Sequence, residues 1–223
     1  QESGCSIHEQ RNRKNESGRK VKPNIITDGL PKEVVIDDGK YRINWDFRIG
    51  MKFDEIMESE IPDIVKLEKL LTLYYPKYPN NLEEAVEKIL WFYRGGKAEK
   101  KEEKKERYKR RSNRGPAFSF SQDAPYIYAA FKEQYGIDLL SQEKLHWWKF
   151  LALFESLGEE TKMAKIMYYR TVSTSGMSKD RRAFINEMKK AYKLDGGKKL
   201  TLEERNQQWK EYVKKRNQER TVK

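Results

Sequence analysis

Hydrophobic and polar positions in this chain form one short alternating stretch followed by a series of helical stripes. Val34, Val35 and Ile36 run into Asp37-Asp38-Gly39-Lys40, after which Tyr41, Ile43 and Trp45 alternate with polar residues. Two β-capable runs around an Asp-Gly pair predict a hairpin, because that dipeptide tolerates the positive φ angles of a tight turn. One hairpin is marginal in isolation, so it must pack on the helices that follow. Ile49, Phe53, Ile56 and Met57 form a single stripe and predict a first helix over 47–58, with Asp46 as N-cap. Ile64, Leu67, Leu70, Leu71 and Tyr74 predict a second, beginning near Pro62 at a favoured first-turn position and stopped by Pro76 and Pro79. A third opens at Asn81 with Glu83, Glu84 and Glu87 near its start, where the macrodipole favours acids. Its expected buried face is Leu82, Val86, Ile89, Leu90 and Tyr93, widened by Trp91 and Phe92, and Gly95-Gly96 ends it.

Residues 97–114 show no apolar periodicity and read as a charged linker between two helical blocks. The second block starts with Gly115-Pro116. A helix over about 123–135 presents Tyr126, Ile127, Ala130 and Phe131, and Gly136 caps it. The next, expected over 141–157, carries Leu145, Trp147, Trp148, Phe150, Leu151, Leu153, Phe154 and Leu157 on nearly every side, as a central buried helix does. A further helix over 160–170 has Met163, Ile166 and Met167 in its stripe. The helix over 179–194 directs Phe184, Ile185, Met188 and Tyr192 toward the core, and Asp195-Gly196-Gly197 breaks it. The pattern therefore predicts a mostly α fold, a helical bundle with a small N-terminal β-hairpin. Its expected parts are a disordered basic segment 1–23, a hairpin and first helical block 24–96, the linker 97–114, a second block 115–194 packed on the first, and a basic C-terminal helix or tail 195–223.

Charge sharpens this picture. The 223 residues hold 47 basic and 35 acidic side chains, a net +12, with a mean hydropathy of -1.00. Residues 24–94, which contain the first three helices, hold 10 basic and 14 acidic groups, whereas residues 95–114 hold 10 and 4. The excess therefore falls largely on segments poor in core residues, which weakens a folded nucleic-acid surface as the reading of the basic balance. The single cysteine, Cys5, cannot pair within the chain and fits a reducing compartment. No apolar run approaches a bilayer span and no signal-peptide pattern opens the chain. A cytoplasmic protein is the expectation.

The residues offer no constellation for catalysis. The two histidines are His8, in the polar N-terminal segment, and His146, beside Trp147, where a packing role is expected. No metal-ligand spacing and no phosphate-cradling glycine loop occurs. The adjacent pairs Glu83-Glu84 and Glu159-Glu160 suit helix starts. The reading is thus a non-enzyme with no catalytic, cofactor or metal residues, acting by binding macromolecules. Its aromatic density suits core packing better than base stacking. Trp91, Trp147, Trp148, Tyr168 and Tyr169 are the candidate partner anchors, because tryptophan and tyrosine dominate interface hot spots.

Several strings carry a resemblance. Asn24-Ile25-Ile26-Thr27-Asp28-Gly29-Leu30-Pro31 precedes the hairpin and Ile43-Asn44-Trp45-Asp46-Phe47-Arg48 follows it. Then come Ile89-Leu90-Trp91-Phe92-Tyr93-Arg94-Gly95-Gly96-Lys97 and Gln122-Asp123-Ala124-Pro125-Tyr126-Ile127-Tyr128-Ala129-Ala130-Phe131. Gln134-Tyr135-Gly136-Ile137-Asp138-Leu139, Leu145-His146-Trp147-Trp148-Lys149-Phe150 and Lys165-Ile166-Met167-Tyr168-Tyr169-Arg170 complete the order. Over about residues 24–194 the chain resembles the "gene product fifteen" family of tailed phages and prophages of Gram-positive bacteria. Residues 1–23 fall outside the pattern, as a wrongly assigned start or a fused upstream reading frame would. Genes of the family usually lie between those of the major tail protein and the tape-measure protein. The resemblance thus implies a tail-assembly chaperone in the host bacterial cytoplasm, with the tape-measure and tail-tube proteins as partners, and carries over no catalytic or cofactor residue. A structural component of the tail or neck and a nucleic-acid-binding phage protein are the alternatives, in that order.

Overall fold

The computed structural model describes residues 23–97 and 116–195. The expected N-terminal segment, most of the linker and the C-terminal tail lie outside the described residues. Strands β1 (Glu33–Ile36) and β2 (Gly39–Arg42) form an antiparallel hairpin. Seven described helices follow: α1 (Phe47–Glu58), α2 (Asp63–Tyr74), α3 (Leu82–Tyr93), α4 (Ala124–Tyr135), α5 (Trp147–Glu155), α6 (Lys162–Thr171) and α7 (Lys179–Ala191). The fold is mostly α, as the apolar pattern predicts.

The hairpin turn sits one residue earlier than expected. Ile36 pairs with Gly39, so Asp37 and Asp38 are the two turn residues, with φ of 44° and 61°. Gly39 belongs to β2 instead, where a Cβ would press on the Tyr41 ring at 3.1 Å. The turn is held from outside: the Asp37 amide donates to Glu84 Oε2 at 3.0 Å, and Asn81 Nδ2 donates to Asp37 Oδ1 at 2.9 Å. Both contacts come from the start of α3, so the hairpin tip and that helix end position each other. Left-handed backbone disfavours any residue with a Cβ, although aspartate tolerates it better than most. Asp38→Gly should therefore raise stability by up to about 1 kcal/mol, read as a higher denaturant midpoint at unchanged slope.

Helix starts follow local chemistry. Asp46, Asn81, Thr161 and Ser178 each accept an amide hydrogen from the first turn of α1, α3, α6 and α7. Pro62 stands at the N-cap of α2, one position before the expected first turn. The buried faces are rotated from the expected stripes in two helices. In α1 it is Phe47, Gly50 and Phe53, with Met57 exposed; in α3 it is Ala85, Ile89 and Phe92, with Leu82 exposed. In α1 the rotation sets Gly50 against the Trp147 ring of α5, where a Cβ would not fit.

The largest departure from the expected pattern is α5, which begins at Trp147 and not at Ser141. Residues 145–147 instead pair with the chain entering α1. Phe47 N–H donates to the Leu145 carbonyl and Trp147 N–H to the Trp45 carbonyl, both at 2.8 Å, and Asp46 and His146 form an antiparallel bridge. The 139–142 stretch is held by Arg48, whose Nη2 donates to the carbonyls of Leu139 and Gln142. Backbone groups that an extended helix would have used internally are spent on tying the two helical blocks together.

From that start α5 runs through the centre of one core. Trp147, Trp148, Phe150 and Phe154 are buried on it. The two indole N–H groups donate to the carbonyls of Tyr93 and Phe92, at 2.8 and 2.7 Å. These carbonyls end α3, where the regular helical ladder stops; the Phe92 carbonyl also accepts the Gly95 amide at 3.0 Å. A buried indole needs a partner and a helix end needs donors, so the two requirements cancel.

Candidate interaction surface

The five aromatic anchors expected from the sequence divide by burial. Trp147 and Trp148 are 0% and 2% exposed and belong to the core, so neither presents a surface to a partner. Trp91 is half-buried, edge-on to Trp148 with ring centres 5.2 Å apart. Tyr168 is 44% exposed, and Tyr169 beside it is half-buried. Only Tyr168 and Tyr169 are brought together at the surface. They join a run of rings: Tyr168 to Tyr169 at 5.9 Å, Tyr169 to Phe184 at 6.0 Å and to Tyr192 at 6.3 Å, then Tyr192 to Tyr126 at 6.3 Å.

Phe184 enters this run as a correction. Its expected core position is instead 49% exposed, and Ile185 is the buried residue of α7. A signal existed in the sequence. Asp180 and Glu187 lie four before and three after Phe184, so the helix surface around it is charged. Met57 and Ile64, at 47% and 49% exposed, are a second pair of half-exposed apolar side chains, at the end of α1 and the start of α2.

Beneath the ring run lies a buried ion pair. Arg170 on α6 donates from Nη1 to Asp123 Oδ2 at 2.6 Å and from Nη2 to Asp123 Oδ1 at 2.9 Å. Its remaining donors reach the carbonyls of Tyr192 and Ala117, and Asp123 also accepts the Ser119 amide. One guanidinium on α6 thus joins the start of α4, the segment just before it and the end of α7. Outside it, Lys165 pairs with Glu160 at 2.9 Å on the surface, which raises the lysine pKa and lowers that of the carboxylate.

His146 is committed to structure. Its Nδ1 accepts the Trp148 amide at 3.1 Å, so Nε2 carries the proton and donates to the Pro31 carbonyl at 2.9 Å. Burial lowers its pKa, opposed by the Pro31 hydrogen bond and aided by Lys32. A histidine held neutral in the folded state contributes stability that is lost as pH falls, because the unfolded state takes up the proton first. The loss begins below the unfolded value of about 6.5. His146→Asn keeps a capping acceptor but cannot titrate, so its stability should fall less than the wild type's between neutral pH and about pH 5, as thermal unfolding across that range would show. Among the described residues, no three His, Cys, Asp or Glu side chains gather as metal ligands.

Comparison with known families decides what kind of chain this is. Residues 26–194 match the family described as bacteriophage Gp15 protein, about three quarters of the sequence. The chain belongs to that family. The match spans the hairpin, all seven described helices and the segment between α3 and α4. No curated protein and no solved structure matches this Gp15-family chain. It is a bacteriophage protein, and none of its described helices is long and apolar enough to cross a membrane.

Proposed function

We propose that this chain is a tail-assembly protein that acts by binding, a chaperone that holds the tape-measure protein while tail-tube subunits assemble around it. Family membership over residues 26–194 carries the reading. Its support is the gene position that the resemblance implies, between the major tail protein and the tape-measure protein. The physical chemistry is compatible. A long helical client is held by apolar side chains left exposed on helices, and Met57 and Ile64 are such side chains on α1 and α2. The 37% of charged residues keeps such a complex in solution. The site of action is the host cytoplasm, and no cofactor is required.

Co-expression with the tape-measure and tail-tube proteins of the same phage tests this. Tape-measure protein that becomes soluble and co-purifies with the tagged chain, together with absence of the chain from purified virions, supports the chaperone. A fixed copy number in virions would make it a structural component. Unchanged tape-measure solubility would sink the chaperone reading.

A further inference from the structure

Positive charge and exposed aromatic rings coincide on α6, α7 and their flanks. Residues 162–193 hold nine basic and two acidic side chains, a net +7 of the chain's +12. α6 carries Lys162, Lys165 and Arg170 and no acid. Arg170 is consumed by Asp123 and Lys165 by Glu160, but Lys179, Arg181, Lys190 and Lys193 have no acidic partner among the described residues.

The placement of these cations does not serve helix stability. Lys179, Arg181 and Arg182 lie in the first turn of α7, where the macrodipole disfavours positive charge. By helical spacing, Arg182 and Lys189 line one flank of the stripe centred on Ile185, Lys179 and Lys190 the outer face, and Arg181 the flank that carries Phe184. Cations so spread do not rim one apolar groove, which is what an acidic helix from a protein partner would require. A flexible chain of phosphates can follow them. On α6, Tyr168 is exposed three residues after Lys165, and the ring run continues from it through Tyr169 to Phe184 on α7.

We propose that the α6–α7 unit binds single-stranded nucleic acid, with the cations of α7 on the phosphates and Tyr168 as a stacking platform for a base. The surface is separate from Met57 and Ile64, and the proposal stands or falls independently of the chaperone reading.

The experiment uses the full chain and fluorescein-labelled oligothymidylate, with anisotropy read at about 50 and about 200 mM salt. Duplex DNA of equal length and polyglutamate serve as competitors. Binding should weaken steeply with salt. The triple variant Lys179→Glu, Arg181→Glu, Lys190→Glu should bind about tenfold more weakly or worse, with a shallower salt dependence. Tyr168→Ala should bind about fivefold more weakly or worse, with the salt dependence unchanged. The first two changes in the triple variant place acids where the helix dipole favours them, so a lost affinity at undiminished melting temperature cannot be unfolding. No binding at the lower salt overturns the proposal, as does wild-type affinity in either variant. Equal competition by polyglutamate or by duplex DNA overturns it as well, the first in favour of any acidic polymer and the second in favour of backbone contact without stacking.

Discussion

Asp123→Ala is expected to destabilise the fold by about 3–5 kcal/mol, a fall of about 10 °C in melting temperature for a chain of this size. The side chains of Asp123 and Arg170 are 2% and 8% exposed, so removing the carboxylate leaves a guanidinium in the interior without its counter-charge. The Ser119 amide loses its acceptor in the same step. The reverse change, Arg170→Ala, should cost a similar amount, because it strands the carboxylate and releases the carbonyls of Tyr192 and Ala117. The pair as a whole is a different matter. Two apolar residues of similar volume avoid the desolvation of both charges, so Asp123→Leu with Arg170→Met should recover most of either single loss. Recovery should fall short by about 1–2 kcal/mol, because the two carbonyls stay without a donor. Denaturant unfolding of the four proteins measures each term. A double variant no more stable than either single variant would show that the two charges are not coupled as the geometry requires.

Gly50→Ala is expected to destabilise by about 2–3 kcal/mol, although alanine in an open helix is favoured over glycine by about 1 kcal/mol. The sign is reversed by Trp147. A Cβ on Gly50 would lie 2.3 Å from the indole ring, well inside any real contact. The ring cannot withdraw, because it is fully buried, stacks on Tyr93 and Phe150 at 5.4 and 5.5 Å, and donates to the Tyr93 carbonyl. Trp147→Ala should itself cost about 3–5 kcal/mol through the cavity it leaves. Gly50→Ala placed on a Trp147→Leu background should cost little or nothing, since the smaller side chain vacates the space that the Cβ needs. If Gly50→Ala proves neutral in the wild-type background, α1 and α5 are not packed as closely as described.

Much of the architecture was legible along the chain because it depends on near neighbours. Asp46, Asn81 and Gly136 mark helix ends through their own side chain or backbone freedom, and each does so in the fold. Ile127, Ala130 and Phe131 recur at helical spacing, and all three are buried. The rotated stripes of α1 and α3 could not be read this way. Hydrophobicity alone favours Met57 over Gly50 and Leu82 over Ala85, and in α1 only the Trp147 ring packed against it makes glycine the better neighbour. The ring run behaves similarly: Tyr168 and Tyr169 were visible as a pair, whereas Phe184 joins them only because α7 buries Ile185 in its place.

The sequence by itself determined that the chain is a mostly helical bundle with one hairpin, where most helices begin and end, and to which phage family it belongs. Those properties rest on local periodicity, on caps within a few residues and on ordered strings. Tertiary structure alone decided the late start of α5, the burial of Trp147 and Trp148, and the Asp123–Arg170 pair. Each joins groups far apart in sequence: Asp46 with His146, Phe92 with Trp148, Asp123 with Arg170. The backbone amides of residues 145–147 could have extended a helix or bridged to α1, and local propensity does not distinguish the two. The bridge prevails because it lets the indoles reach the carbonyls at the end of α3, so that buried donors and acceptors on both sides are satisfied together.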